Sequence, residues 1–458
     1  YRFSEEPYFK NLKDVVSNGK LRASFGEIGN EAVGEYMFEE LITQLEEKKV
    51  YWVDNNKENA NLLTMYNMPN LVASSLTWER IRTTDIGIDL GFLNNELMVG
   101  FDWYQRENRD MLAPSKVLPQ VLGADAPVSN AGTLRTRGWE FTVDWHHRFG
   151  DFNVYANFNL SDSRTKVTKW DNPSMLLNTN YSGKTYGDIW GFETDRYFEE
   201  SDFTGKNPDG TWNYAAGIAS QKGLEQGSFH YGPGDVKYKD LDGSGVIDGG
   251  KGTANNHGDL KVIGNFLPRY EYSFHLGGTW KGIDLDLFFQ GVGKRDSWTV
   301  SSMNFPLMRD ADLALYAHQT SYNKVNFTAD YKTITGYEIN QNNKYPRLFP
   351  GNDPKGTISG IDNGTNNYYP QSRYLTDMSY LRLKNVTLGY TLPAELTRKA
   401  YIQKARIYFS ASNLFLLHKG NDLPVDPEIS TGAGLAYGGW GRTAPITRTF
   451  SFGMQVTL

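Results

Sequence analysis

The sequence contains no cysteine, which removes a disulfide scaffold, a thiolate metal site and a cysteine nucleophile together. It also lacks positive excess. With a formal net charge of −6 over 458 residues, it carries no basic footprint of the kind nucleic acid demands, and no nucleic acid is expected as a partner. No window approaches the ~18 apolar residues a spanning helix requires, and the mean hydropathy is low. The chain opens at Tyr1 without a methionine, a basic n-region or an apolar h-region, so no export signal is visible and it reads as a processed or partial product. These absences favour a water-soluble protein, with one exception. A barrel strand alternates lipid-facing and lumen-facing residues, so its average hydropathy cancels.

Periodicity therefore carries the argument. Ile86, Ile88, Leu90 and Phe92 alternate with Asp85, Gly87, Asp89 and Gly91, a period of two that gives a strand with one wet side. After Leu93, Asn94 and Asn95 the alternation resumes with Leu97, Val99, Phe101 and Trp103 opposite Met98, Gly100, Asp102 and Tyr104. A second hairpin has Trp139, Phe141, Val143 and Trp145 on one face, turns at Gly150 and Asp151, and returns through Phe152, Val154, Ala156, Phe158 and Leu160. A third runs through Tyr270, Tyr272, Phe274, Leu276 and Trp280, turns at Lys281 and Gly282, and returns along Ile283, Leu285, Leu287 and Phe289. Further strands are expected near 20–26, 380–391, 402–415 and 446–458, roughly ten or eleven in all, each about the length a tilted strand needs to cross a bilayer. The 380 segment breaks its alternation at Lys384 and Asn385, which predicts a bulge.

Short and long connections alternate. The hairpin turns take about two residues, with a short helical turn at Pro393 to Lys399, whereas the connections near 107–137, 161–266, 291–375 and 416–445 are long. In an antiparallel sheet this sorting puts every short turn at one end, the asymmetry of outer-membrane barrels. Phe92, Trp145 and Trp280 then fall near one rim and Trp103, Trp139 and Tyr270 near the other, as two anchoring girdles; aromatics are also simply frequent in strands. A soluble β-sandwich or propeller remains the competitor, although loops of such length are uncommon in compact soluble domains. The expectation is an all-β, transmembrane antiparallel β-barrel with long extracellular loops in outer-membrane lipid. Asp89, Asp102, Asp144, Asp284 and Asp286, with Arg82, Arg106 and Arg406, would line its lumen.

Several segments add a family resemblance. Leu76-Thr-Trp-Glu-Arg, Thr84-Asp-Ile-Gly-Ile-Asp-Leu-Gly, Leu93-Asn-Asn-Glu-Leu and Phe101-Asp-Trp-Tyr follow in order, after Leu21-Arg-Ala-Ser-Phe-Gly-Glu-Ile-Gly-Asn. Pro233-Gly-Asp-Val-Lys-Tyr-Lys-Asp-Leu-Asp-Gly-Ser-Gly, Ile263-Gly-Asn-Phe-Leu-Pro-Arg-Tyr, Phe288-Phe-Gln-Gly-Val, Tyr345-Pro-Arg-Leu and Tyr380-Leu-Arg-Leu-Lys-Asn-Val-Thr-Leu-Gly-Tyr continue the series. Together they resemble the SusC-like TonB-dependent transporters of Bacteroidetes across nearly the whole chain. The resemblance implies residues 1–458 as the C-terminal part of a 22-stranded barrel, partial at about 10–11 strands, with the plug domain and TonB box not in this chain. It implies location in the bacterial outer membrane and import of an oligosaccharide or peptide with a SusD-like surface lipoprotein. Energy would come from the TonB complex through the N-terminal part.

Two other classes stay open. Asp284 and Asp286 could serve as paired carboxylates of a carbohydrate-active enzyme, but a lumen-facing pattern already explains them, and neither H-E-x-x-H nor G-x-S-x-G occurs. A passive porin or adhesin would share the barrel without a plug or lid. Trp190, Trp212, Tyr231, Trp298, Tyr316 and Trp440 in the long connections could stack on sugar rings or pack against a partner protein.

The loop Asp240-Leu-Asp-Gly-Ser-Gly-Val-Ile-Asp has the spacing of a calcium loop. Its positions 1, 3, 5, 7 and 9 would offer Asp240, Asp242, Ser244, the Val246 carbonyl and Asp248, with Gly245 at the sharp turn. Lys251 replaces the usual twelfth-position glutamate, and Asp259 could fold back in its place. The expected ion is Ca2+ in a structural role. The alternative is a solvated acidic turn, because Asp and Gly favour turns without any metal.

Overall fold

The computed structural model describes residues 1–30, 39–40, 42, 44–52, 61–66, 71–73, 76–114, 127–227, 229–298, 321–329, 334–347, 366–423, 425–428 and 446–458. Its dominant element is one ten-stranded sheet. The strands are β1 (Val16–Asn30), β2 (Glu79–Phe92), β3 (Leu97–Pro114), β4 (Val128–Phe149), β5 (Phe152–Lys169), β6 (Arg269–Trp280), β7 (Ile283–Lys294), β8 (Tyr380–Thr391), β9 (Lys404–Lys419) and β10 (Thr449–Thr457). Each pairs antiparallel with its sequence neighbour, and β1 and β10 are the end strands. The wall is therefore open, as expected of a partial barrel.

Connections alternate strictly. Residues 93–96, 150–151, 281–282 and 392–403 close one end, and the strand ends joined by 31–78, 115–127, 170–268, 295–379 and 420–448 are at the other. The tight turns have the required chemistry. Lys281 and Gly282 both take positive φ (46° and 87°), the twist that lets a two-residue hairpin match the strands it joins. Between β8 and β9 the expected helical turn is present as Ala394–Thr397 followed by a 3-10 turn at Arg398–Ala400.

The bulge also lies where the sequence places it. Phe288 pairs with Asn385 and Phe289 with Leu383, so Lys384 is the extra residue. Above it Arg382 and below it Asn385 face the same side as Gln290 and Phe288.

The register separates two faces. Phe92, Leu97 and Trp145 form one continuous row, and Leu90, Val99, Val143, Phe158, Phe274 and Phe289 another. Ile86, Leu276, Leu285, Leu388, Ile407, Phe450 and Phe452 on this side are exposed, as lipid-facing residues must be in a chain without its bilayer. Trp103 pairs directly with Trp139 near the long-loop end, while Trp280 lies opposite Phe152 and Ile283 at the short-turn end. Phe149 lies ten residues along β4 from Trp139, about 33 Å of strand, or about 25 Å of membrane normal at a tilt near 40°. That matches the apolar band of an outer-membrane barrel.

Strands β3, β4 and β5 run further than hydrophobic alternation predicts. β3 ends at Pro114, β4 starts at Val128 and β5 ends at Lys169, which shortens the expected 107–137 connection to 115–127. Beyond the bilayer both faces meet water, so the apolar period stops while the hydrogen-bond ladder continues.

Candidate functional site

The inward face of the wall is a ladder of paired polar groups. Arg22 on β1 donates to both oxygens of Asp89 on β2 (2.9 and 2.8 Å) and to Asp102 on β3 (2.8 Å). On β5 to β7, Tyr155 donates its hydroxyl to Asp286, whose Oδ2 also lies 2.7 Å from His275 Nε2. Asp284 on β7 takes the forked guanidinium of Arg406 on β9, and Asn157 donates to Asp144 (2.5 Å). Isolated charges are costly at bilayer depth, and pairing against a hydrated lumen is how barrels carry them. Asp284 and Asp286 thus have separate partners on separate strands, and the lumen-facing reading accounts for both.

One expected lumen residue faces the other way. Arg82 shares the parity of Ile86 and Ile88, lies opposite Glu27 of β1, and carries its guanidinium 5.7 Å from the Phe25 ring centre. Its side chain belongs to the outward face, because strand side chains alternate with a period of two. Arg106 remains inward, opposite Thr83 and Thr136.

Above the wall, the described residues of connections 170–268 and 295–379 fold into one packed unit. Its buried core combines Phe192, Tyr197, Phe198, Phe203, Phe229, Tyr231, Val236, Tyr238 and Ile247 from the first with Tyr345, Tyr368 and Tyr374 from the second. A buried ion pair joins the two. Arg347 donates to both oxygens of Asp235 (2.8 and 2.6 Å) and to the His230 carbonyl (2.7 Å). Asp235 also accepts from Asn367 and from the Gly232 N–H, both at 2.8 Å. Burial works against the Arg347 charge, and the Asp235 carboxylate more than offsets it, so its pKa is raised. Gly234 beside this pair holds φ at +90°, and a Cβ there would meet Asn323 and Arg347, so the turn requires glycine.

The loop aromatics divide accordingly. Tyr231 is fully buried in this core, which corrects the expectation that it could reach a sugar or a partner. Trp212 and Trp298 pack against the core, and Trp190 lies 5.3 Å from the His257 ring. Tyr316 and Trp440 lie outside the described residues.

In the acidic loop, Asp240, Asp242 and Asp259 converge, each offering an oxygen within 4.8 Å of the others. Asp259 has folded back across the insert and accepts from the Leu241 N–H (2.6 Å) and the Asp248 N–H (2.9 Å). Asp240 accepts from the Gly243 and Gly245 N–H groups (2.7 and 2.8 Å). The other three positions are engaged elsewhere: Ser244 donates its hydroxyl to the Val246 carbonyl (2.8 Å), and Asp248 accepts from Gly250 (2.7 Å). Three carboxylates at this separation suit a hard cation.

With this geometry in hand, the relatives can be placed. The family profile for the TonB dependent receptor-like beta-barrel matches residues 14–244, half of the chain. The chain belongs to that family. TonB-dependent receptor P3 of Formosa agariphila is 27% identical over 483 residues, covering all of this chain and 41% of that protein. TonB-dependent receptor SusC of Bacteroides thetaiotaomicron is 23% identical over 447 residues, covering 94% of this chain and 37% of its own length. The solved RagAB peptide transporter superposes with a TM-score of 0.66 at 19% identity, over 100% of this chain and 42% of that one, which shows the shared fold. The chain thus spans about two fifths of the length of the relatives it matches. As a TonB-dependent receptor barrel it is an outer-membrane protein. Its short turns are then periplasmic and its packed loop unit external.

Three groups escaped sequence reasoning. Asp235 and Arg347 sit inside two segments singled out for family resemblance, Pro233-Gly-Asp and Tyr345-Pro-Arg-Leu, and nothing in either segment alone announces that they meet. Asn367 carries no sequence signal at all.

Proposed function

We propose that the full-length protein imports an oligomeric nutrient across the outer membrane, driven by the TonB complex acting through the N-terminal part and assisted by a SusD-like surface lipoprotein on the external loop unit. An oligosaccharide is the first substrate class. A peptide is the second, kept by the likeness to a solved peptide transporter. The observation that carries the reading is the division of the wall: an apolar outer face, and an inner face where ion pairs tie β1 to β2 and β3 and β7 to β9, with hydrogen bonds between polar side chains joining β4 to β5 and β5 to β7. Such a face serves a water-filled path or a plug held by polar contacts.

A tagged full-length transporter, gently solubilised from its own host, is expected to carry a stoichiometric lipoprotein and a trapped oligomer identifiable by mass spectrometry. Deletion of the gene should abolish growth on that oligomer and not on its monomers. A transporter that purifies alone, from cells whose growth on oligosaccharides and peptides is unaffected by the deletion, would leave a passive porin or adhesin as the better account.

Within the external unit, we assign Asp240, Asp242 and Asp259 a structural divalent cation, calcium by its preference for carboxylate oxygens. Support comes from their convergence, with oxygens within 4.8 Å of one another, and from the mutual repulsion of three carboxylates held that close. Chelation should raise hydrogen exchange at 240–260 and calcium should restore it. Equal protection in chelator and in calcium would assign the loop to its backbone hydrogen bonds alone.

A further inference from the structure

The outward face changes character above the outer girdle. The row Ile86–Trp103–Trp139–Asp162, whose Asp162 is held by Arg269, is followed, two residues further along each strand, by Thr84–Gln105–Arg137–Arg164, and then by Arg82–Glu107–Arg135–Lys166. Arg80 and Arg109 lie opposite each other one step higher. In a chain of net charge −6, cations outnumber carboxylates here. Glu107 is shared by Arg109 and Arg135 (both 2.6 Å), and Glu27 and Asp110 take Arg82 and Arg80. Arg137 donates to the side-chain oxygen of the neutral Gln105 (2.8 Å). Burial raises the Asp188 pKa, and Arg164 is close enough to oppose that shift only weakly. Arg137, Arg164 and Lys166 are exposed.

Like charges directly opposite each other on a sheet are destabilising, yet Arg137 opposes Arg164 and Arg135 opposes Lys166. The inward row at the same height, Thr83–Arg106–Thr136–Thr165, holds a single cation. The repulsion is therefore confined to the face that meets the membrane, at the level where hydrocarbon gives way to head groups. A face of this charge is complementary to an anion at the head-group level.

We propose that Arg137, Arg164 and Lys166, backed by Arg135, form a binding site for the phosphorylated saccharide head group of an outer-leaflet glycolipid. Its acyl chains would lie along the apolar strip below Trp103 and Trp139. Guanidinium forks match phosphate oxygens in geometry and charge. The aromatic pair fixes the height at which the head group emerges from the bilayer.

The test uses the full-length transporter in detergent, titrated with phosphorylated lipid A and read by native mass spectrometry. Wild-type protein should bind it at least tenfold more tightly than dephosphorylated lipid A of the same acyl composition. The triple variant R137Q/R164Q/K166Q should lose at least tenfold in affinity, whereas the inward-facing Arg106→Gln should stay within twofold of wild type. Should the triple variant misfold, Arg164→Gln alone carries the comparison, with a loss of about threefold or more expected. Equal binding of both lipids, undiminished binding by the neutralised variants, an equal loss in Arg106→Gln, or saturation of the site by millimolar inorganic phosphate in place of lipid would each overturn the assignment.

Discussion

Replacing Asp235 by asparagine keeps the shape of the side chain and removes its charge, leaving Arg347 buried with neutral acceptors alone, the His230 carbonyl and one amide oxygen. Arg347 is 12% exposed and Asp235 fully buried, so water cannot substitute. Removing one member of a buried, hydrogen-bonded pair costs about 3–5 kcal/mol. That is about two to three and a half decades in an opening equilibrium, at 1.4 kcal/mol per decade. The loss should stay within the external unit, since the sheet is held by its own ladder. Hydrogen exchange on the full-length protein reads this directly: amides of 229–238 and 367–374 should lose at least a hundredfold in protection while those of β4 and β5 are unchanged.

A second variant separates charge from packing. Asp235→Leu together with Arg347→Met replaces the pair by apolar groups of similar volume, a change that is often neutral or stabilising for a buried ion pair. It should regain most of the lost protection. The reasoning fails if Asp235→Asn loses less than tenfold, if the strands lose protection in parallel, or if the apolar pair proves as unstable as the single variant.

The wall and the loop unit each respond to smaller changes in a defined way. Gly277 lies opposite Tyr155, where a Cβ would stand 2.3 Å from the tyrosine ring; Gly277→Ala should cost about 1–3 kcal/mol through overpacking, seen as a lower temperature of barrel unfolding on gels, and Tyr155→Ala should relieve it. Lys384 is the surplus residue of the bulge, so deleting it leaves Leu383 opposite Phe289 and Arg382 opposite Gln290 and turns no charge toward lipid; the deletion and Lys384→Ala should both leave the abundance of assembled barrel near wild type, and a sharp fall for the deletion alone would refute that register. Burial raises the Asp202 pKa, but the two Arg196 bonds (2.7 Å each) and the Glu199 N–H outweigh it and hold the group below its ordinary value. Its contribution is therefore full above the unfolded value near 3.9 and lost as pH falls through the lower folded value. Between pH 5 and 2, Asp202→Asn should remove up to about 1.4 kcal/mol per pH unit from the acid sensitivity of the loop unit.

The wall was legible because bilayer and lumen impose opposite demands on alternate residues. Ile86 through Phe92 and Trp139 through Trp145 announce their strands for that reason, and Lys384 announces the bulge by interrupting the same rhythm. Legibility ended where that demand ended. Past Trp103 and Trp139 both faces are wet, so Gln105 through Arg109 and Arg135 back to Thr133 look like loop although they continue the sheet. The misplaced Arg82 has the same origin: its charge suggested a lumen, while its parity with Ile86 already put it outside. Above the hydrocarbon, charge no longer distinguishes the faces, and only register does.

The external unit was illegible for a different reason. Its core is assembled from residues far apart in the chain, Tyr197 and Tyr238 against Tyr345 and Tyr374, with no local period to betray it. Aromatics in a long polar connection read equally well as a binding surface. What distinguishes the two is whether backbone and buried polar groups find partners, and here Gln221 bonds the Val236 carbonyl and the Tyr238 N–H while Gln371 bonds the Asn367 carbonyl and the Tyr238 hydroxyl. Amides satisfied this fully belong to an interior. The surface offered to any partner or substrate must therefore come from the rim around this core, where Trp212 carries the Lys206 ammonium 5.7 Å from its ring centre, and not from the tyrosines that dominate its composition.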